Sequence, residues 1–197
     1  MIKALFFFIL GVLLGSLNFA IIYSKLRGDD IRNHGSKNAG ATNVLRTYGK
    51  IPALIVFLLD LSKGVAAVLI ARAFNSSELV LCSAALGAIL GHNFPVYYSF
   101  KGGKGVATSF AVLLALHYEV ALCALAVFVV CVLISRIVSL SSMVSAVSAC
   151  VFALYFYGFS TFFVFCVIIA ALLIVRHRTN IARLLNGTEN KLRSKKK

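Results

Sequence analysis

Acidic residues are scarce in this chain, which holds six Asp and Glu against 20 Lys and Arg in 197 residues. Only Asp29 and Asp30 are neighbours, so we expect no carboxylate cluster of the kind that holds Mg²⁺. Phosphoryl transfer that depends on such a metal is therefore disfavoured, and we expect neither a metal nor another cofactor. Any catalysis must use hydrogen bonds, cations and the reactants themselves.

Cysteine offers no metal pattern either, because every cysteine lies inside an apolar run and no two have ligand spacing. We interpret the five as small buried hydrophobic residues. They are Cys82, Cys123, Cys131, Cys150 and Cys166.

Hydrophobic residues are abundant, at 60% of the chain, with 13% charged residues and a mean hydropathy of +0.94. About 20 apolar residues cross a bilayer core as a helix. The stretches without Asp, Glu, Lys or Arg are 4–24, 79–100, 105–118, 120–135 and 137–175. The last can cross twice with a turn at 157–160, and 51–71 is a further span. The sequence therefore predicts an all-α, polytopic integral membrane bundle of about seven transmembrane helices, in a single domain over residues 1–197.

Two of these spans allow a second interpretation. Residues 105–116 make only about 18 Å of helix, so they either cross with help from their flanks or form a re-entrant segment. If they and the next span do not cross separately, the total is five and both ends keep their orientation. The first span carries Lys3 like a signal peptide, but its apolar run is too long and more spans follow, so we interpret it as a retained helix.

Basic residues alternate between the two sides of the predicted bundle. The segments at 25–50, 101–104, 136 and 176–197 hold six, two, one and eight Lys or Arg, whereas the segments between them hold one, one, none and none. The positive-inside rule makes the basic side cytoplasmic, with the N-terminus outside and the C-terminus in the cytoplasm. We expect the tail, Lys195–Lys197, to touch anionic lipid. Charges spread over membrane-tethered loops predict no nucleic-acid partner.

The first of three polar segments on that side is 29–47, which is rich in glycine, amide and hydroxyl residues. Glycine lets backbone amides approach a ligand closely, and Arg46 offers a planar, two-pronged donor suited to phosphate. Neutral donors are Ser36, Asn38, Thr42 and Asn43. A solvated loop usually holds Pro, Glu and Lys instead, so this composition indicates phosphate binding.

The second polar segment is 91–109, where three glycines surround a lysine before a predicted helix start. These residues are Gly102, Gly103, Lys104, Gly105 and Val106. Loop amides and a helix N-terminus form an anion cradle. A Walker loop needs Ser or Thr where this chain has Gly105, and the dinucleotide fingerprint needs Gly or Ala where it has Thr108, so neither motif applies.

The third polar segment is 176–189. Helical spacing predicts Arg176, Asn180 and Arg183 on one face, with His177 three residues before Asn180. Gly187 is suited to end this helix. The alternative is a basic helix at the lipid headgroups, but the histidine and the asparagine favour a functional role.

Four further polar residues lie at or inside the spans. Arg136 and Ser142 stand at the predicted cytoplasmic start of one span. Asp60 and Lys63 lie three residues apart in the middle of another, where ionisable groups are costly. They form either a mutual ion pair that fixes helix packing or a direct substrate contact, and the sequence leaves both open.

Taken together, the three segments resemble the motifs of the PlsY family, the bacterial acyl-phosphate:glycerol-3-phosphate acyltransferases. The similarity covers nearly the whole chain and is strongest at 35–46, at 91–95 with 101–108, and at 176–189. One departure is Lys37, where the family often has glycine. The dyad of the common glycerolipid acyltransferases, a histidine followed by four residues and an aspartate, is missing.

This resemblance implies an enzyme of the bacterial cytoplasmic (inner) membrane, with its active site facing the cytoplasm, and we expect a monomer. It would transfer a fatty acyl group from acyl phosphate to the 1-hydroxyl of glycerol 3-phosphate, giving lysophosphatidic acid and inorganic phosphate. This is the first step of phospholipid synthesis. Its partners would be these two substrates and membrane lipid, and it would use neither a metal nor a covalent acyl-enzyme.

The family match also implies roles for single residues. Substrate phosphate would be bound by Ser36, Asn38, Thr42, Asn43 and Arg46. The acyl-phosphate headgroup would be held by Lys104 with the amides of Gly102 and Gly103. The glycerol 3-phosphate side would be completed by Ser142, His177 and Asn180. Of these, the catalytic candidates are Lys104, His177, Arg46 and Ser142. Either His177 or a substrate phosphate oxygen would accept the proton.

Two other classes share the cationic loops. A transporter of phosphorylated anions would carry polar groups through the membrane, often in repeated halves, whereas here the polar groups lie on one side. A lipid-binding scaffold would not need such dense glycine, asparagine and threonine segments.

Overall fold

The computed structural model describes residues 1–192, and the predicted lipid-contacting tail Lys195–Lys197 lies outside them. Ten α-helices make up the described part: α1 (Ile2–Gly15), α2 (Phe19–Leu26), α3 (Ala41–Tyr48), α4 (Lys50–Phe74), α5 (Glu78–Asn93), α6 (Val106–Leu116), α7 (Tyr118–Ser135), α8 (Val138–Tyr157), α9 (Thr161–Arg176) and α10 (Arg178–Leu185). Short 3-10 turns lie at Ile31–Asn33 and Val96–Tyr98. The chain forms two compact units, Met1–Leu116 and the part from His117 onward.

Five stretches of the described residues are long and apolar enough to cross a membrane, and α9 with α10 makes a sixth if this bent pair is one span. α6 is a shorter apolar helix of 11 residues. Large hydrophobic side chains are exposed along these helices, among them Leu133 and Val151, as expected for surfaces that face lipid. Residues 1–192 therefore form helices and no strand, as predicted, and several of these helices are apolar enough to span a membrane, while the total of seven crossings stays a prediction.

Glycines allow α1 and α5 to pack in direct backbone contact. A Cβ at Gly11 or Gly15 would overlap the backbone of α5 at Ala84 or Ala88. A Cβ at Gly87 or Gly91 would likewise overlap the backbone of α1. Each helix thus presents two glycines, four residues apart, to the other helix. Small residues in this arrangement let membrane helices pack closely together.

α1 ends at a break that exposes a carbonyl group inside the first unit. The hydroxyl of Ser16 donates to the Val12 carbonyl at 2.7 Å, and the Asn18 side chain caps α2 by accepting from the Ile21 N–H. The Leu17 carbonyl, which lies between the two helices, accepts a hydrogen bond from Lys63 at 2.8 Å. The first span is thereby tied to the middle of α4.

Asp60 and Lys63 are buried on α4 and form an ion pair, with Nζ 2.7 Å from Oδ1. The interpretation of these residues as a mutual ion pair is confirmed. Gly64, one helical turn after Asp60, packs against α6. A Cβ added at Gly64 would lie 3.0 to 3.3 Å from atoms of Ala111 and Thr108.

In the second unit, the predicted turn at 157–160 is confirmed. α8 ends at Tyr157, Gly158 has a φ of +62°, and the Ser160 side chain caps α9 by accepting from the Phe163 N–H at 3.1 Å. Glycine meets the left-handed conformation there without steric cost. Aromatic contacts between His117, Tyr157 and Phe162 pack against this turn.

The continuous helical face predicted for Arg176, Asn180 and Arg183 is wrong. α9 ends at Arg176 and α10 starts at Arg178, with a 59° bend between them. The His177 N–H is shared between the carbonyls of Leu173 and Ile174, at 3.0 and 2.9 Å, an arrangement typical of a helix end. Asn180 and Arg183 do share α10, which ends at Leu185 before Gly187, as predicted.

Candidate functional site

The loop before α3 is shaped by one buried amide. The Asn43 side chain donates to the carbonyls of Ile31 and His34, at 3.1 and 2.9 Å, and accepts from the Ser36 N–H at 2.9 Å. The backbone of residues 31–36 therefore wraps around Asn43, which is 1% exposed. The structure gives Asn43 a framework role, and its contact with a substrate stays a prediction.

Asp29 ties the same loop to the end of α3. Its carboxylate accepts from the Tyr48 hydroxyl at 2.6 Å and lies 2.7 Å from Nε2 of His34. The bond from Tyr48, then that from His34, lowers the pKa of Asp29 to about 2. Partial burial, with the bond to Asp29, raises the pKa of Tyr48 to about 12. The neutral phenol and the carboxylate thus stabilise each other over a wide pH range.

The predicted phosphate residues of this segment lie at its accessible side. Ser36, Asn38 and Thr42 are partly exposed, and Arg46 is exposed on α3, one turn after Thr42. These side chains can therefore reach a ligand that approaches from outside the unit.

In the second polar segment, close packing leaves no room for a side chain at Gly102 or Gly103. A Cβ at Gly103 would overlap the ring nitrogen Nε2 of His92 and lie 2.6 Å from the Ala39 carbonyl. A Cβ at Gly102 would overlap the His92 carbonyl and the ring of Pro95. The Gly103 N–H donates to that same carbonyl at 3.1 Å. α6 begins at Val106 as predicted, directly after Lys104 and Gly105.

The structure brings the first and second polar segments together within the first unit. Ala39 of the first lies against Gly103 of the second, and the amide of Asn18 donates to the Ala39 carbonyl at 3.3 Å. The Arg32 guanidinium donates to the carbonyls of Tyr98 and Lys101, at 3.1 and 3.4 Å.

Sequence reasoning missed the role of Arg32, which also pairs with Asp30 at 2.6 Å. The hydrogen bond from Arg32 is the main cause that lowers the pKa of Asp30. The closeness of Arg32 to Asp29 and Asp30 in the sequence was a signal for local ion pairing. It did not indicate the contact between Arg32 and the carbonyls of Tyr98 and Lys101.

The second unit holds Ser142, His177 and Asn180, all buried. The Ser142 hydroxyl donates to the Val138 carbonyl of its own helix at 2.8 Å. Nδ1 of His177 lies 2.8 Å from the Leu173 carbonyl. Because a carbonyl only accepts, Nδ1 carries the proton, and the lone pair of the neutral ring is on Nε2.

Glu189 joins the end of the chain to α10 and α8. It accepts from Arg183 at 2.7 Å, from Asn180 at 2.8 Å and from Ser139 at 3.0 Å. Burial opposes its ionisation, but these three bonds outweigh that effect and lower the pKa of Glu189. No role for Glu189 was predicted from the sequence.

Neither unit offers a metal centre within residues 1–192, since no three His, Cys, Asp or Glu side chains there are grouped as ligands. The chemistry that the described residues supply is therefore cationic and hydrogen-bonding. It consists of Arg46 and Lys104 in the first unit, and of His177 and Asn180 in the second.

Comparison with known proteins shows similarity over most of the chain. The family model described as glycerol-3-phosphate acyltransferase matches residues 5–187. A protein of that name from Shouchella clausii is 47% identical over 192 residues, which cover 94% of each chain. Another from Aquifex aeolicus is 45% identical over 191 residues, covering 96% of this chain and 99% of its relative.

Two solved structures have the same fold. A crystal structure of PlsY (YgiH), described as an integral membrane glycerol 3-phosphate acyltransferase in its glycerol 3-phosphate form, matches with a TM-score of 0.91 and 44% identity over 96% of both chains. Its lysophosphatidic acid form matches with a TM-score of 0.87 and 43% identity, over 96% of this chain and 95% of that one. On these matches, this chain belongs to the glycerol-3-phosphate acyltransferase family.

Proposed function

We propose that this protein transfers a fatty acyl group from acyl phosphate to the 1-hydroxyl of sn-glycerol 3-phosphate. The products are lysophosphatidic acid and inorganic phosphate, and the reaction starts phospholipid synthesis. The observation that carries the proposal is the contact between two polar loops, Ala39 against Gly103, which places a cationic residue of each loop in one unit. The solved relatives, which are described in glycerol 3-phosphate and lysophosphatidic acid forms, supply the acceptor and the product.

An acyl phosphate suits a site whose proposed residues bind and position the two substrates. The hydroxyl oxygen of glycerol 3-phosphate attacks the acyl carbon, the bond from that carbon to the phosphate oxygen breaks, and phosphate leaves with the electron pair. Because this mixed anhydride is already activated, the protein has to align the reactants and neutralise charge. Alignment contributes about 7–11 kcal/mol in favourable model reactions.

The residues are assigned by charge and position. Lys104 and the Gly102 amide hold the donor phosphate and the charge that develops on it. The Gly103 N–H already donates to the His92 carbonyl, so we assign Gly103 to loop packing. Ser36, Asn38, Thr42 and Arg46 bind substrate phosphate, while Asn43 shapes the loop that presents them.

Ser142, His177 and Asn180 serve the glycerol 3-phosphate side. The proton of the attacking hydroxyl goes either to Nε2 of His177 or to an oxygen of a substrate phosphate. No acyl-enzyme and no metal take part.

In the membrane, we place seven crossings, the N-terminus outside and the C-terminus in the cytoplasm. The basic residues alternate as the positive-inside rule requires. The site then faces the cytoplasm of the bacterial inner membrane, and residues 1–197 act as one monomeric domain.

The test is a reaction with purified protein in detergent. Acyl phosphate and glycerol 3-phosphate should give inorganic phosphate and lysophosphatidic acid in equal amounts, with no loss in EDTA. Replacing acyl phosphate with acyl-CoA or with acylated acyl carrier protein tests for acyltransferases that use other donors. Release of glycerol 3-phosphate from loaded vesicles tests for a transporter. Lys104→Ala and Arg46→Ala should each lose most turnover, and near-normal activity of both at low substrate would remove the proposed pocket.

A further inference from the structure

The first unit contains a buried polar cluster that has no role in the proposed chemistry. Asp60, Lys63 and His92 are each at most 4% exposed. Nζ of Lys63 lies 2.7 Å from Oδ1 of Asp60 and 2.9 Å from Nδ1 of His92, and it donates to the Leu17 carbonyl. Ionisable groups within a span are costly, and a buried ion pair contributes little net stability, so this cluster calls for a function.

The ion pair determines which nitrogen of His92 carries the proton. Next to the Asp60 carboxylate, Lys63 is an ammonium group, which has three N–H donors and no lone pair. Nδ1 of His92 lies 2.9 Å from this ammonium nitrogen and 3.5 Å from Oδ1 of Asp60, so we assign Nδ1 as the acceptor of the shorter hydrogen bond, the one from Lys63. The neutral imidazole ring is left with its proton on Nε2.

The Nε2 edge of His92 lies against the glycine loop. The ring nitrogen fills the space that a Cβ of Gly103 would need, and the His92 carbonyl accepts the Gly103 N–H at 3.1 Å. Gly102 also packs against this carbonyl. His92 thus contacts the loop through both its ring and its backbone.

We propose that Asp60 and Lys63 are positioning residues for the donor-binding loop. They hold His92 in the tautomer protonated at Nε2, and the ring holds residues 102–104 in the conformation that receives the acyl-phosphate headgroup. This inference rests on the proposed function, because it takes Lys104 as the ligand of the donor phosphate. It makes the buried pair a determinant of the KM for the donor.

The kinetic test uses Asp60→Asn with Lys63→Met in one protein, which removes both charges and leaves neither one buried alone. This double variant should melt like the parent in detergent. Its KM for acyl phosphate should rise about tenfold, the effect of one lost hydrogen bond, while its KM for glycerol 3-phosphate stays unchanged. A parental donor KM would overturn the proposal. Ser62→Ala is the matched control, because this exposed hydroxyl bonds only to Leu59 of its own helix among the contacts described.

A rescue experiment tests whether the pair acts through His92. Glutamine places an amide donor near the position of Nε2 without help from Lys63, whereas asparagine places it near Nδ1. His92→Gln should therefore keep more donor affinity than His92→Asn. In the His92→Gln protein, the Asp60→Asn and Lys63→Met changes should have no further effect on donor KM; additive effects would contradict the proposal.

The tautomer can be measured without turnover, by ¹⁵N NMR of the histidine-labelled protein in micelles. The His92 signals, identified by their loss in His92→Gln, should show a neutral ring protonated at Nε2. An imidazolium, or a ring protonated at Nδ1, would reject the inference even if the double variant failed to fold. Failure of the parent protein to use acyl phosphate would instead reject the proposed function, with the His92 result still readable.

Discussion

The Glu189 carboxylate accepts a hydrogen bond from Nδ2 of Asn180 at 2.8 Å. The amide nitrogen is the donor in this bond, so the orientation of the Asn180 side chain is set by a residue beyond the end of α10. Ser139 and Arg183 donate to the same carboxylate. One acidic side chain therefore fixes a predicted substrate residue and connects α10 to the start of α8.

Glu189→Gln should weaken this arrangement, because a neutral amide loses the ion pair with Arg183 and cannot accept all three bonds. Hydrogen bonds to a charged group contribute about 1.5–3 kcal/mol, and a chain of this size loses about 2–4 °C in melting temperature per kcal/mol. We expect a drop of several degrees and a lower turnover, measured by thermal unfolding and phosphate release. Glu119→Gln is the matched control, since Glu119 lies 3.8 Å from His117, and an equal loss there would contradict the assignment.

Local patterns predicted much of the fold. The apolar runs located the helices, and glycines located the turn after Tyr157 and the end of α10 before Gly187. The start of α6 at Val106 followed from a glycine segment that meets an apolar run. These signals depend on neighbours in sequence, which is why sequence alone revealed them.

Other features depend on contacts between distant segments and could not be predicted. Arg32 reaches carbonyls more than 60 positions away, and the Asn43 side chain turns inward to hold its own loop. The bend at His177 interrupts a segment whose composition is that of a continuous helix. The sequence marked Asn43 and His177 as candidate site residues, but it held no signal for the distant or inward contacts that these side chains and Arg32 make.

Lys37→Gly should stabilise the protein. Lys37 has a φ of +59°, in the left-handed region, which costs a residue with a Cβ roughly 1–2 kcal/mol. Glycine avoids this cost but gains about 0.5–1 kcal/mol of freedom in the unfolded chain, so we expect a rise of about 1–2 °C in melting temperature with unchanged turnover.

Lys101→Gly provides the comparison for Lys37. Lys101 is also an exposed lysine in a loop, but it is not one of the described residues that have a positive φ. Glycine there should lower the melting temperature. If both variants shifted it in the same direction, backbone strain at Lys37 would not be the cause.

Gly87→Ala should destabilise the bundle, although alanine in place of glycine normally stabilises a helix by up to about 1 kcal/mol. The added methyl group would overlap the Phe8 carbonyl of α1, and overpacking of this kind costs about 1–3 kcal/mol. Gly64→Ala, which meets Thr108 at 3.1 Å, should cost less. Thermal unfolding in one detergent ranks the two, and the reverse order would argue against backbone contact between α1 and α5.

Acid should remove the contribution of Asp29. Its pKa is about 2 in the folded protein and 3.8 ordinarily, so the bonded carboxylate stabilises the fold above pH 3.8 and this contribution is lost as the pH falls through 2. The difference in melting temperature between the parent and Asp29→Asn should therefore shrink between pH 4 and pH 2. Tyr48→Phe should show the same convergence, and Tyr97→Phe, at an exposed tyrosine, should show none.

His177→Asn and His177→Ala distinguish the two candidate proton acceptors. The donor bond from Nδ1 to the Leu173 carbonyl positions the ring at the helix break, and the asparagine amide can keep that bond while it lacks any counterpart of Nε2. We expect His177→Asn to retain most of its turnover and His177→Ala to lose it, which would leave a substrate phosphate oxygen as the acceptor. Turnover at saturating substrate, with melting temperatures as the folding control, decides the matter. If both variants fold and both lose about 10²–10⁴ in rate, the size of a general-base contribution, Nε2 of His177 takes the proton.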